Sequence, residues 1–226
     1  MQALFQRSMG AALFAALLAT GCTVQDATDD QTVDPAATQA PGAQAMPQPQ
    51  AQPQPQPLPP PDLRLEVNVA ARELHVYRND QRIATHPVAV GTSEWPTQTG
   101  EWTIGQVVWN PRWVPPQEEW AKDEEVKEPG APENPLGRAQ LVYDAPRSIH
   151  GTNEPASLGK AASHGSIRIA NEVAIELARM VMESGGAGRD ESWYRAAREN
   201  RKERQDVAIP NPIPIRVVAG GGSGQG

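Results

Sequence analysis

HGTNEPASLGKAASHGSIR, residues 150–168, is the stretch that decides how the rest of this chain is read. It gathers histidines, glycines, small hydroxyl residues and an arginine between strand-like residues before it and a helix-like segment after it. That is the composition of a site, not of a core. Ser166 follows His150 by sixteen positions, and such a pair suits nucleophile and base, because a hydroxyl attacks poorly until a neighbour takes its proton. His150 is the candidate base, since imidazole titrates near neutrality. The run His164, Gly165, Ser166 offers consecutive backbone N–H groups on a turn that glycine bends freely, as an oxyanion hole requires. Ser, His and Gly are also ordinary turn residues, so spacing alone leaves catalysis and a plain turn both open.

Beyond spacing, HGTN, SLGK and SHGSIR together resemble the signature of the L,D-transpeptidase (YkuD, or ErfK/YbiS) catalytic domain, a histidine followed at similar distance by Ser-His-Gly-Cys and an arginine or asparagine. WPTQTGEWTIG at 95–105, NPRWVPP at 110–116 and NPLGRAQLVY at 134–143 are similar to stretches of that family in the same order. The resemblance implies a mainly β, sandwich-like fold with one or two flanking helices, acting on peptidoglycan stem peptides. It assigns Ser166 as nucleophile in the place of the family's cysteine and His150 as base. Gly151 would supply the carbonyl that orients the imidazole, His164 would shape the site, and the N–H groups of Gly165 and Ser166 would hold the oxyanion. Arg168, Ser163 and Asn153 are the candidate substrate-binding residues. Ser163 reads first as a local hydrogen-bonding partner, with a nucleophile role also open, and Arg168 reads first as a brace on backbone carbonyls, then as a partner for a substrate carboxylate.

The serine changes the chemistry that the resemblance implies. A thiol of pKa about 8.5 can be brought below neutrality and held as thiolate, whereas a serine hydroxyl cannot be ionised in advance. His150 must then accept the proton as attack occurs, and the shorter C–O bond shifts the reacting atom, a kind of misplacement that costs about a hundredfold per ångström. The implied reaction is attack on the L,D bond before a terminal D-alanine, an ester on Ser166, and transfer to an amine or to water, the last being L,D-carboxypeptidase activity. The alternative is a catalytically silent peptidoglycan-binding module.

The chain has 226 residues, 38% of them hydrophobic and 5% aromatic, which fits one modest domain with appendages. A formal net charge of −7 argues against nucleic acid, which calls for a basic patch. Residues 1–22 read as an export signal: Arg7, an apolar run at 9–19 too short to span a bilayer, then Ala19-Thr20-Gly21-Cys22, which resembles a lipobox. Cys22 is the expected lipidation site and membrane anchor. Thr23 stands where an aspartate would favour inner-membrane retention, so the expected location is the outer membrane, facing the periplasm and cell wall. As the one cysteine, Cys22 leaves no intramolecular disulfide. Residues 23–61 are rich in Pro, Gln and Ala and are expected to be a disordered tether with polyproline II character. The catalytic domain is expected over 62–219 and a disordered tail over 220–226.

Within the domain, Leu63, Leu65, Val67 and Val69 alternate with Arg64, Glu66 and Asn68, the pattern of a half-buried strand. Leu74 and Val76 continue it, Asn79-Asp80 marks a turn, and further strands are expected at 83–90, 103–109, 138–143, 148–150 and 210–218. His75 and His86 read as solvated or structural. The six tryptophans read first as core, with some lining a cleft as the second reading. The acidic residues 117–135 read as a lid-like loop or a solvated excursion. Asn171 is the expected N-cap of a helix running to about Glu183, with Gly185-Gly186 as its stop, and a charged helix over 190–204 is expected to lie on Trp193 and Ala197. His150 and His164 have no third ligand at recognisable spacing, so neither metal nor cofactor is expected.

Overall fold

The structure, a computed structural model, describes residues 58–220. The expected export signal, Cys22, most of the tether and the tail lie outside the described residues. The alternating apolar residues set the first hairpin. Strand β1 (Leu63–Asn68) pairs antiparallel with β2 (Glu73–Arg78). Asn79 and Asp80 then both take positive φ, 48° and 62°, the two-residue turn that short polar side chains tolerate best, and β3 (Gln81–Pro87) returns along β2. The short β4 (Val90–Gly91) is followed by β5 (Gly100–Trp109), β6 (Ala139–Asp144), β7 (Arg147–His150), β8 (Ala161–Ser163) and β9 (Ile167–Arg168). Helices α1 (Asn171–Ser184) and α2 (Glu191–Glu199) precede the closing strand β10 (Gln205–Val218).

Eight strands form one curled sheet in the order β3-β2-β1-β10-β5-β6-β7-β9, and β4 and β8 form a separate parallel ribbon. Among the described residues the architecture is mainly β with two α-helices. β10 enters the middle of the sheet, parallel to β1 and antiparallel to β5. Its register with β5 breaks between Ala208 and Ile213, where Pro210 and Pro212 have no N–H to give the ladder. The inner face carries Leu65, Val67, Ile104, Val107, Leu141, Ile149, Ile167, Ile213 and Ile215, all essentially buried. Against it α1 lays Ala174, Leu177, Ala178, Val181 and Met182. Each fully buried Leu, Ile, Val or Met side chain is worth about 1.5–3 kcal/mol, so α1 is fixed to the sheet that carries the site.

Three expectations change on this frame. Asn171 does not cap α1: Ala170 holds that position without a side-chain bond, and the Asn171 carboxamide is used elsewhere. The charged helix ends at Glu199, not 204. Asn110, itself at φ 48°, directs its Nδ2 to the carbonyls of Ala197, Asn200 and Glu203 at 2.8, 3.1 and 3.1 Å; these caps turn the chain so that β10 starts at Gln205. The outer face of β1 and β2 is not solvated throughout. Glu66 and His75, opposite each other in the register, are each 7% exposed, and His75 Nε2 lies 3.1 Å from a Glu73 carboxylate oxygen. His75 is structural there. Trp102, Trp109 and Trp193 join the core, with Trp109 edge-on to Trp193 at 5.7 Å between centroids.

Candidate active site

β7 ends at His150, and β9 begins one residue after Ser166. The two strands pair in parallel, Ile149 with Ile167 and His150 with Arg168. Ile149 and Ile167 are fully buried on the core side, so strand alternation places His150, Arg168 and Ser166 together on the opposite face. The sheet thus brings the candidate base and nucleophile to neighbouring positions. No hydrogen bond joins them among the described residues.

The turn that carries Ser166, the candidate nucleophile, is held from several sides. Arg168 and Ala89 exchange both backbone hydrogen bonds at 2.9 Å, and the Thr92 N–H donates to the Ser163 carbonyl at 3.1 Å. Gly165 has φ +102°, a conformation that favours glycine. Buried Thr97 accepts from the Gly91 N–H at 2.7 Å and donates to the Gly165 carbonyl at 3.0 Å. The Ser163 hydroxyl donates to the Ser166 carbonyl and accepts from the Gly165 N–H at 3.3 Å. The Gly165 N–H, expected as an oxyanion donor, is therefore directed to Ser163, and the buried Ser163 braces the turn as a local hydrogen-bonding partner.

His150 is 5% exposed, and its Nδ1 lies 2.6 Å from the Gly151 carbonyl oxygen. A carbonyl only accepts, so Nδ1 carries the proton and Nε2 keeps its lone pair. Burial pushes the imidazole down to about 4, with Arg168 acting in the same direction; the carbonyls of Gly151 and Pro135 oppose them. His150 is neutral at neutral pH and a weaker base than a free histidine.

His164 is exposed at its backbone turn, yet its ring lies flat on Trp120 at 3.8 Å and 5°, with Trp95 tilted against it at 4.5 Å. Burial by these indoles, then Arg168, holds it below the usual histidine value, against the pull of Glu118 and Glu94. Trp120 sits on a short 3-10 turn, Glu119–Ala121, within the acidic loop. That loop is closed at its neck by paired backbone bonds between Trp113 and Lys127 at 2.9 and 3.0 Å, beside an Arg112–Glu128 ion pair at 2.9 Å. Asn134 ties its far end to the carbonyls of Pro111, Lys127 and Glu128. The loop is ordered against the site, its tip on His164.

The other two substrate-binding candidates are already engaged. Arg168 donates to Glu154 at 2.6 Å with its side chain 14% exposed, so the guanidinium meets a side-chain carboxylate of this chain, neither a backbone carbonyl nor open solvent. Asn153 is exposed and donates to the Pro132 carbonyl of the acidic loop at 3.4 Å. Among the described residues no group of His, Cys, Asp or Glu is arranged to hold a metal ion. Sequence reasoning missed Thr97 and Asn171 as parts of the site, and its second reading, that some of the six tryptophans line a cleft, did not single out Trp95 and Trp120. Thr97 lies within WPTQTGEWTIG, and Asn171 carries only the local mark of a helix cap.

Residues 62–200 match the family described as YkuD, the L,D-transpeptidase catalytic domain. The chain is similar to YkuD of Bacillus licheniformis, 33% identical over 119 residues that cover 52% of this chain and 59% of that protein. It is also similar to YkuD of Bacillus subtilis, 33% identical over 118 residues with coverage of 52% and 59%. The matched region spans less than two thirds of the length of these relatives. Among solved structures, L,D-transpeptidase 3 from Mycobacterium tuberculosis gives a TM-score of 0.44 at 15% identity, covering 70% of this chain and 61% of that one.

Proposed function

The chain belongs to the L,D-transpeptidase catalytic-domain family, and from that premise we propose that it is an acyltransferase of peptidoglycan stem peptides with Ser166 as its nucleophile. The observation that carries the reading is the parallel pairing of β7 with β9, which sets a buried His150, protonated on Nδ1, on the same sheet face as Ser166. The stem peptide binds with the carbonyl of the L,D bond at Ser166. Oγ attacks that carbonyl carbon while Nε2 of His150 takes the hydroxyl proton. The Ser166 N–H stabilises the oxyanion. The C–N bond then breaks, His150 returns the proton to the amine of the departing D-alanine, and an ester remains on Ser166. An amine or water attacks the ester with His150 again as base, giving a crosslink, an exchanged terminus or a hydrolysed stem.

The reading extends to an exported protein anchored by lipid on Cys22 at the outer membrane, supported by the apolar run and the Ala-Thr-Gly-Cys sequence. One observation favours a second reading. His150 pushed down to about 4 is a poor partner for a hydroxyl, so a peptidoglycan-binding protein without turnover is the alternative.

The test is intact-protein mass spectrometry with tetrapeptide muropeptides, comparing wild type with Ser166→Ala and Ser166→Cys and separating the products by chromatography. Release of D-alanine by wild type and not by the Ala variant is expected. Turnover by the Cys variant alone would overturn the enzyme reading in favour of binding.

A further inference from the structure

We propose that Asn171 is a positioning residue for His150: from the first turn of α1 its carboxamide fixes the two backbone segments that hold Gly151, whose carbonyl faces the imidazole. The proposal rests on the reading of His150 as base. Asn171 Oδ1 accepts the Arg138 N–H at 3.0 Å, and Nδ2 donates to the Thr152 carbonyl at 2.9 Å. An N–H only donates and a carbonyl only accepts, so both ends of the amide are matched and its orientation is fixed. The backbone closes tightly round it. A Cβ on Gly137 would lie 2.1 Å from Asn171 Oδ1, and one on Gly151 would lie 2.2 Å from it. Both positions are open to glycine alone while the asparagine is in place.

The consequence for His150 runs through the chain on either side of it. Thr152 follows Gly151, whose carbonyl accepts the hydrogen bond from Nδ1, and Arg138 precedes Ala139, whose carbonyl accepts from the Gly151 N–H at 3.0 Å. The asparagine therefore clamps the chain one residue to either side of the contact that holds Gly151: Thr152 after it and Arg138 before Ala139. α1 is a firm base for the clamp, because Ala174, Leu177 and Ala178 are packed into the core. The helix does not use this side chain, since its N-cap is Ala170. The amide is directed to the loop of the base.

The test is 15N NMR of the full chain labelled at histidine, with His150→Gln to assign the signal. Wild-type His150 is expected as a single Nδ1–H tautomer at neutral pH. Asn171→Asp keeps the acceptor for Arg138 and loses the donor to Thr152, and Asn171→Ala loses both; each should abolish the single tautomer and populate Nε2–H. Glu172→Ala, which removes only an exposed ion pair with Arg198 at 3.3 Å in the same helical turn, should leave the signal unchanged. A retained Nδ1–H tautomer in folded Asn171→Asp would overturn the proposal and leave Asn171 a structural residue. The readout needs no turnover, so a silent enzyme fails the functional reading without touching this one.

Discussion

Replacing Thr97 with valine tests how the nucleophile turn is held. Valine keeps the shape of threonine and exchanges the hydroxyl for a methyl, so packing is conserved while two hydrogen bonds are lost. The Gly91 N–H, donating at 2.7 Å, and the Gly165 carbonyl, accepting at 3.0 Å, are both left without that partner in a buried place. A buried polar group left unsatisfied costs about 1–3 kcal/mol. Two of them cost about 2–6 kcal/mol, and the valine returns on the order of 1 kcal/mol because no hydroxyl is buried. The expected loss is on the order of 1–5 kcal/mol. Thr97→Ser is the paired control: it keeps both bonds and forfeits one methyl, worth about 0.8 kcal/mol. Denaturant unfolding of the three proteins measures the difference, and hydrogen exchange at the Gly91 amide locates it, since that N–H should exchange faster in the valine variant only. Equal stability of Thr97→Val and Thr97→Ser would refute the reasoning and reduce Thr97 to a packing residue.

Acid should weaken the fold through His150. Its folded value of about 4 lies below the ordinary 6.5, so the unfolded chain takes a proton that the folded chain refuses, and stability falls as pH drops from 6.5 towards 4. At about 1.4 kcal/mol per unit the full effect is on the order of 3 kcal/mol; urea melts across that window should be steeper for wild type than for His150→Gln, and parallel curves would contradict it. Trp120→Ala should free the ring of His164, moving its NMR titration midpoint up towards the usual histidine value as burial is relieved. The same variant should be cut faster by protease within residues 117–126, because the loop's contact with His164 is gone; unchanged digestion would mean that the neck alone holds the loop.

Elements whose determinants are local were legible in the sequence. Leu63, Leu65 and Val67 wrote β1 by alternation, Asn79-Asp80 wrote its turn, and the apolar face of α1 was read with its glycine stop. The nearness of His150 and Ser166, the candidate base and nucleophile, was legible too, because they lie within one short stretch. Its supports were not. Thr97 meets Gly165 across 68 positions and Asn171 meets Arg138 across 33, and no pattern within a window reports such a meeting. Asn171 even carries a misleading local signal, since asparagine before an apolar helix is the usual mark of a cap. Alternation puts Glu66 and His75 on the polar face of their strands but does not say how far that face is covered. Arg64 over Tyr77 within the same strand pair, and Arg216 reaching from β10 to Glu66, close that face.

The strand order also has a consequence for the timing of assembly. β1 and β5 are never neighbours; β10 stands between them. Until the stretch Gln205–Val218 arrives, β3-β2-β1 and β5-β6-β7-β9 are two half-sheets with no ladder between them, each with an open edge of the kind that invites wrong partners. A chain emerging from its N-terminus must carry both halves, the second already bearing His150 and Ser166, until its last strand is available to join them. β10, which carries neither His150 nor Ser166, therefore sets the moment at which the two half-sheets become one sheet.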